Sequence, residues 1–309
     1  MTQAPTVRLQ PLARARVAWL GEAGRRWEAG LPALLEELAG RWSLTLGRAL
    51  PGGSASYVLA ARSAAGEPVV LKVAMVDPGF AAEVDLLRAA GGRGYARVLE
   101  HDPARGAVLL ERLGPALSGS GLGVEQQVDV LAATLLVAWR RLDRPVTDRA
   151  RSLAEGIRAR RHLALAAESA AVERALAHAE ELCAAPVRDA VLVHGDPHPG
   201  NLLRVAGPRP GAPTGWCLVD PEPCVTDPAY DLGVVVRDFS STLLADPGSA
   251  AARLRSWCAR AAGPSGVDPG RVWAWGHLER VSTGLYVRSF GASAVAEPFL
   301  RSATLLADG

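Results

Sequence analysis

Lysine and asparagine are almost missing from this chain: its 309 residues hold one of each, Lys72 and Asn201, beside 33 arginines. Isoleucine is as scarce, with Ile157 alone. All three have AT-rich codons, so a GC-rich coding sequence accounts for the scarcity. Ile157 sits in a bland helical stretch, which shows that rarity by itself marks nothing. Lys72 and Asn201 differ from it in their company. Lys72 ends the strand-like run Val69-Val70-Leu71-Lys72-Val73, and Asn201 closes His194-Gly195-Asp196-Pro197-His198-Pro199-Gly200-Asn201. Arginine's fork does not act as a compact point charge, and aspartate does not offer a neutral amide oxygen. Positions that need those properties would resist the drift.

Other absences exclude whole classes of protein. A net charge of +2 and 5% aromatic residues supply neither a basic stripe for a nucleic-acid backbone nor a platform for base stacking, so no nucleic-acid partner is expected. The longest apolar run, Val130 to Trp139, is too short to span a bilayer, and Arg8, Arg14 and Arg16 interrupt the start of the chain where a signal peptide would be apolar. The expected location is the cytoplasm, without a membrane partner. Cys183, Cys217, Cys224 and Cys258 have no C-x-x-C spacing, which removes the usual zinc and redox motifs. There is no G-x-S-x-G elbow, no Rossmann G-x-G-x-x-G and no Walker A lysine.

What remains is 49% hydrophobic residues in a length that suits one large domain or two lobes. Residues 16 to 42 have helical spacing, with a break expected near Gly30 and re-entry at Pro32. The period then shifts toward two. Trp42 to Arg48, Ser56 to Arg62 and Pro68 to Val73 read as strands, Asp77-Pro78 opens a helix to about Ala90, and Arg97 to His101 and Ala107 to Leu113 add two more strands. These form a first lobe, 1–113. Beyond Gly114-Pro115 the second lobe, 114–309, is mainly helical. Val128, Leu131, Leu135, Trp139 and Leu142 share one helix face, an alanine-rich helix pair covers Leu153 to Leu182, and helices resume near Asp231 and from Asp268. Inside this lobe Ala190 to Val193, Leu202 to Val205 and Trp216 to Val219 read as short strands. Trp257, Trp273 and Trp275 have the spacing of core residues.

Three chemistries compete for the His-Gly-Asp segment. His194, Asp196 and His198 alternate as metal ligands on a strand could. A hydrolase lacks a nucleophile. Phosphoryl transfer explains more residues, because it needs a carboxylate to orient and deprotonate a hydroxyl, oxygen ligands for Mg²⁺, and a cation on the non-transferred phosphates. Asp196 fits the first role, Asn201 and Asp220 the second, and Lys72 the third.

The run His194-Gly195-Asp196-x-His198-x-x-Asn201, with Val219-Asp220-Pro221-Glu222-Pro223 and Thr226-Asp227-Pro228-Ala229-Tyr230-Asp231-Leu232, resembles the aminoglycoside phosphotransferase family, relatives of the protein kinases. Arg26 to Leu35 and Val108 to Leu113 further resemble its streptomycin 6-kinase and hydroxyurea phosphotransferase branch. The resemblance implies an α+β, bilobal protein-kinase-like fold with a small antiparallel sheet in the first lobe. It implies ATP, with GTP not excluded, and Mg²⁺ as cofactors. Asp196 corresponds to the catalytic-loop aspartate, Asn201 and Asp220 to the metal ligands, and Lys72 to the strand lysine. Glu83 resembles the glutamate that pairs with that lysine. Glu111 and Leu113 fall where such enzymes present hinge backbone to adenine. Gly52-Gly53-Ser54 fits a turn whose amides and Ser54 hydroxyl cover phosphates. His194 would brace the loop. Asp231 would cap the helix near Leu232 and bind catalytic-loop amides.

The family implies a hydroxyl-bearing small-molecule acceptor, an aminoglycoside, met by carboxylates. A protein acceptor is disfavoured, since Asp-Phe-Gly and Ala-Pro-Glu landmarks are missing. From Asp246 onward five acids face seven arginines, a balance that counts against a heavily cationic acceptor and leaves other hydroxylated metabolites open. Glu222 and Glu279 are the candidate acceptor-binding acids. A monomer or simple homo-oligomer is expected.

Overall fold

A computed structural model of the chain describes residues 7–50, 55–75, 78–185, 187 and 189–307. The chain divides into two compact units, Met1–Leu113 and Gly114–Gly309.

The first unit begins with helices α1 (Pro11–Trp19) and α2 (Glu22–Arg41). Strands β1 (Thr45–Ala49), β2 (Ser56–Arg62) and β3 (Pro68–Ala74) follow, then α3 (Phe80–Ala90), β4 (Val98–Asp102) and β5 (Ala107–Glu111). The five strands form one antiparallel sheet in the order β1-β2-β3-β5-β4. Alternation along β3 sends Val69, Leu71 and Val73 into a core shared with Leu31, Leu35 and Leu38 of α2. Lys72 therefore points to the other face. The Trp27 indole N–H donates to the Ala74 carbonyl at 2.8 Å and ties α2 to the end of β3.

One expectation about these elements fails. No break occurs at Gly30, and α2 continues through Pro32. An interior proline costs about 3 kcal/mol, whereas burying a leucine yields about 1.5–3 kcal/mol. Leu31, Leu35 and Leu38 are all fully buried on the face that the continuous helix presents, so burial wins. The next helix starts at Phe80, and Asp77 lies outside the described residues.

The second unit carries α4 (Val124–Ala138), α5 (Arg149–Arg160) and α6 (Ser169–Ala184). Two short antiparallel ladders come next. β6 (Val191–Val193) pairs with β9 (Cys224–Thr226), and β7 (Leu202–Arg204) pairs with β8 (Trp216–Leu218). Helices α7 (Pro228–Arg237), α8 (Ser240–Ala245), α9 (Ala250–Ala262), α10 (Pro269–Ser289) and α11 (Ser293–Leu305) complete it. α10 is the hub, packed by α5, α6, α7, α9 and α11. Trp257, Trp273 and Trp275 are buried in this core. Helix α4 stops before Trp139, contrary to the five-residue face expected from spacing. Trp139 turns extended and its indole N–H reaches Asp231 at 2.7 Å, while Leu142 is exposed. Among the described residues no helix is long and apolar enough to cross a membrane.

The core of the second unit also holds neutral histidines. His277 and His178 stack edge to face with ring centroids 5.5 Å apart, and burial pushes His277 down to about 3 and lowers His178. The His277 ring therefore stays neutral when folded but takes up a proton when unfolded below about pH 6.5, so stability is lost as pH falls through that value, by up to about 1.4 kcal/mol per pH unit. His277→Gln keeps a donor for the Ala171 carbonyl that His277 Nε2 meets at 3.2 Å. It should flatten the fall in melting temperature between about pH 7 and pH 5. An unchanged slope would rule out this source of acid lability.

Candidate functional site

The loop after β6 is built around the buried side chain of Asp231, the fourth residue of α7. Its Oδ2 accepts from the His194 N–H (2.8 Å) and the Trp139 indole (2.7 Å), and its Oδ1 accepts from the Gly195 N–H (2.9 Å). Burial raises its pKa to about 6 against the pull of these three donors. The helix cap is supplied instead by Asp227, whose Oδ1 accepts from the Ala229 N–H at 2.9 Å. Of its two expected roles Asp231 thus takes the bonds to the loop amides and leaves the helix cap to Asp227. Asp227 also holds Arg271 and the Trp275 indole, pinning α7 to α10.

Glycine is required at position 195. Its φ is +94°, and a Cβ there would lie 2.1 Å from the Glu222 carbonyl oxygen. The approach is locked by the Glu222 N–H donating to the His194 carbonyl at 2.7 Å. His194 is buried and braces the loop: its Nδ1 accepts from the Asp196 N–H (3.1 Å), which leaves Nε2 to donate to the Val219 carbonyl (2.9 Å). Burial holds its pKa down at about 4. With both nitrogens engaged, it is unavailable to the metal set of His194, Asp196 and His198 that the sequence leaves open. Among the described residues no group of three or more His, Cys, Asp or Glu is arranged to hold a metal ion.

Val219 is held from both sides. Its carbonyl takes the His194 proton, and its N–H donates to the Asn201 carbonyl at 2.9 Å. The next residue, Asp220, is half-buried and adopts φ 56°, a left-handed conformation that is costly for a non-glycine residue and concentrates at functional sites. The Asn201 side chain donates from Nδ2 to the Asp196 carbonyl at 3.0 Å. That bond orients the amide so that its Oδ1 remains the acceptor face. Asp196, Asn201 and Asp220 are thus stitched into one turn system of the second unit.

Asp196 is 30% exposed at its side chain, and its Oδ1 accepts from Arg237 Nη2 at 2.8 Å. His198 Nε2 lies 3.6 Å from Oδ2. Burial would raise the Asp196 pKa, but the charge of Arg237, followed by that of His198, overcomes it and holds the carboxyl at about 2. The group is an ionised, acceptor-only partner at any working pH. Arg237 is itself buried. Nη2 also reaches Asp238 Oδ1 (3.1 Å), and Nη1 reaches Glu279 Oε2 (3.3 Å) and Thr283 Oγ1 (3.2 Å).

Glu279 is not where an acceptor acid would be. It is only 4% exposed, and both oxygens are committed, Oε1 to the Tyr230 hydroxyl at 2.8 Å and Oε2 to Arg237 and Thr283. Glu222 is exposed, with its backbone on the His194 loop. Sequence reasoning missed Arg237, Asp238 and Tyr230. The usable signal was Tyr230 and Arg237 within the largely apolar α7, with Asp238 directly after its last residue, in a helix that had to be buried.

In the first unit Lys72 Nζ meets Glu83 Oε1 at 2.5 Å, and both residues are buried. Breaking one side of such a pair strands a charge, typically at about 3–5 kcal/mol. On the expectation that Lys72 holds nucleotide phosphates, Lys72→Arg, which retains the charge but not the compact head, should lower kcat/KM for the nucleotide by about 10- to 100-fold through misplacement. Wild-type kinetics in that variant would remove the need for a lysine here. Glu111 ends β5 with its N–H bonded to the Arg97 carbonyl at 3.0 Å, and Leu113 is the last residue of the unit. Ser54 and the rest of the Pro51–Ser54 turn lie outside the described residues.

Sheet, helical unit and loop together define a protein-kinase-like phosphotransferase fold. An amicoumacin kinase solved with AMP-PNP and Ca²⁺ superposes with a TM-score of 0.59 at 11% identity, covering 88% of this chain and 92% of that one. The particular family follows from sequence comparison: the chain belongs to the aminoglycoside/hydroxyurea antibiotic resistance kinases, whose family model matches residues 41–291. Streptomycin 6-kinase of Streptomyces glaucescens is 35% identical over 231 residues, 72% of each chain. Hydroxyurea phosphotransferase of Kitasatospora aureofaciens is 35% identical over 234 residues, 72% of this chain and 65% of its own.

Proposed function

We propose that the protein is an ATP-dependent O-phosphotransferase that moves the γ-phosphoryl group to a hydroxyl of a streptomycin-like aminoglycoside in the cytoplasm, and so confers resistance to it. The observation that carries this reading is the double clamp on Val219, which puts Asp196, Asn201 and Asp220 into one turn system. An amide oxygen and a carboxylate are the hard ligands that Mg²⁺ accepts while keeping sites for water and phosphate. Bound there, the ion would neutralise charge on the nucleotide phosphates. Lys72, oriented by Glu83, is assigned to the phosphates, and the backbone of Glu111 and Leu113 to the adenine.

The acceptor hydroxyl hydrogen-bonds to Asp196, its oxygen forms the new bond to phosphorus as the bond to the ADP oxygen breaks, and its proton passes to the Asp196 carboxylate. A carboxyl held at about 2 is a weak base. That suffices, because the transition state for phosphoryl transfer is loose and positioning does most of the catalysis.

A second reading is a kinase for another hydroxylated metabolite, such as an amino sugar or biosynthetic intermediate. It is favoured by Glu279 being buried and committed, which removes one of the few acids available to a polycation. A nucleotide-binding relative that no longer transfers phosphate is opposed by the retained set of Lys72, Asp196, Asn201 and Asp220. ATP consumption by the purified protein against a panel of aminoglycosides, hydroxyurea and amino sugars separates the three. Turnover with streptomycin supports the first reading, turnover only with hydroxyurea or the amino sugars supports the second, and none across the panel supports the third.

A further inference from the structure

We propose that Glu279 is a positioning residue for phosphoryl transfer: held at one oxygen by Tyr230, it anchors the far side of the Arg237 guanidinium and thereby sets where the Asp196 carboxylate stands. The inference rests on the reading of Asp196 as the group that receives the acceptor proton.

An arginine side chain has several rotors and five donors, and one hydrogen bond to Asp196 would not fix its head. Here the fork is divided. Nη2 faces Asp196 and Asp238 at 2.8 and 3.1 Å, while Nη1 is seated on Glu279 and Thr283 at 3.3 and 3.2 Å. With Nη1 fixed, Nη2 has one place to be. Thr283 also donates to Glu279 Oε2 at 3.1 Å, so the seat is itself ordered.

Glu279 is placed by the same elements that hold the loop. Its Oε1 lies 2.8 Å from the Tyr230 hydroxyl, which also stands 3.0 Å from the Gly195 carbonyl. Arg149 donates to that hydroxyl from Nε and Nη2 at 3.0 and 2.8 Å. With its oxygen accepting both, Tyr230 has one proton to share between the carboxylate and the loop backbone. α7 and α10 meet without room for adjustment, since a Cβ on Gly233 would fall 2.5 Å from the Trp275 Cβ. The spacing of Arg237 from Glu279 is therefore set by backbone packing.

An ordinary buried ion pair would look similar on the Glu279 side. The difference is that this arginine's other nitrogen holds the reacting carboxylate, so an error at Glu279 is passed to Asp196. The test is a double-mutant cycle of Asp196→Asn and Glu279→Gln, with kcat and KM measured separately. In the wild-type background Glu279→Gln should lower kcat by about 10- to 100-fold with KM for ATP within about twofold, as expected of misplacement without lost binding. In the Asp196→Asn background the same change should cost less than about twofold. Equal costs in both backgrounds, or a loss confined to KM, overturn the proposal while leaving Asp196 in its role. An Asp196→Asn variant with wild-type kcat overturns the reading of Asp196 itself, and the proposal with it. Should Glu279→Gln fail to fold, Tyr230→Phe keeps the ring packed on Trp275 and removes only the hydroxyl. It should show the same background dependence, and its absence counts equally against the proposal.

Discussion

Asp196→Ala should lower kcat by about 1,000-fold and leave nucleotide affinity within about twofold of wild type. The hydrogen bond from the acceptor hydroxyl to Asp196 matters only as the new bond to phosphorus forms, so its loss falls on kcat. In the proposed function the nucleotide roles belong to other residues. Structural collapse is not the expected cause, because Arg237 keeps both Asp238 and Glu279 when Asp196 is removed. The Asp196 side chain is also partly exposed, so its removal opens no cavity in the core. Steady-state kinetics with a nucleotide titration checks the expectation. Unchanged turnover would take Asp196 out of the reaction.

Asp231→Ala should have the largest effect on stability. Three N–H groups, those of His194, Gly195 and the Trp139 indole, converge on one buried carboxylate. Alanine leaves all three without that acceptor, and an unmet buried donor costs about 1–3 kcal/mol, so the total should reach about 3 kcal/mol or more. For a unit of this size the melting temperature should fall on the order of 10 °C. Activity should fall as well, since the two loop amides carry His194 and, through it, the Asp196 N–H. The exposed i,i+4 pair of Arg301 and Glu297 supplies the control. Glu297→Ala should change stability by no more than about 0.5 kcal/mol. An Asp231→Ala protein that melts with that control would show that the loop does not hang on this carboxylate.

The parts of the fold readable in advance were those with local causes. Alternation along Val69 to Val73 separates Lys72 from the core-facing residues, and α3 begins close enough in sequence for Glu83 to be a partner. The strands of the sheet are likewise legible from period and turn chemistry, and β7 and β8 from their apolar runs, while the pairing of β7 with β8 comes from the structure. What was not legible had distant causes. Helix α2 runs through Pro32 because three leucines bury themselves elsewhere in the unit, and α4 ends at Trp139 because of a bond to Asp231, 92 positions away. Strand β9, Cys224–Thr226, is no shorter than β6 to β8 but lacks their apolar run, so it does not announce itself.

The same division applies to the candidate site. Asp196 and Asn201 lie in one short run, and Asp220 ends a later strand, so each stands in a segment whose residue types suggest its chemistry. Arg237 is one of 33 arginines, and nothing in its neighbours tells that it faces Asp196. Glu279 looked like an acid for a cationic acceptor because sequence reports charge and not burial. Three-dimensional packing turns it into a support for Arg237.

The central claim is that Asp196, Asn201 and Asp220 carry γ-phosphoryl transfer to an acceptor hydroxyl. Its most direct test follows label from γ-labelled ATP with the intact protein, Mg²⁺ and streptomycin or another responding member of the panel. The label should appear on a hydroxyl oxygen of the acceptor and be lost from that product with Asp196→Ala. Label found only in inorganic phosphate, or acceptor labelling that persists undiminished without Asp196, would contradict it.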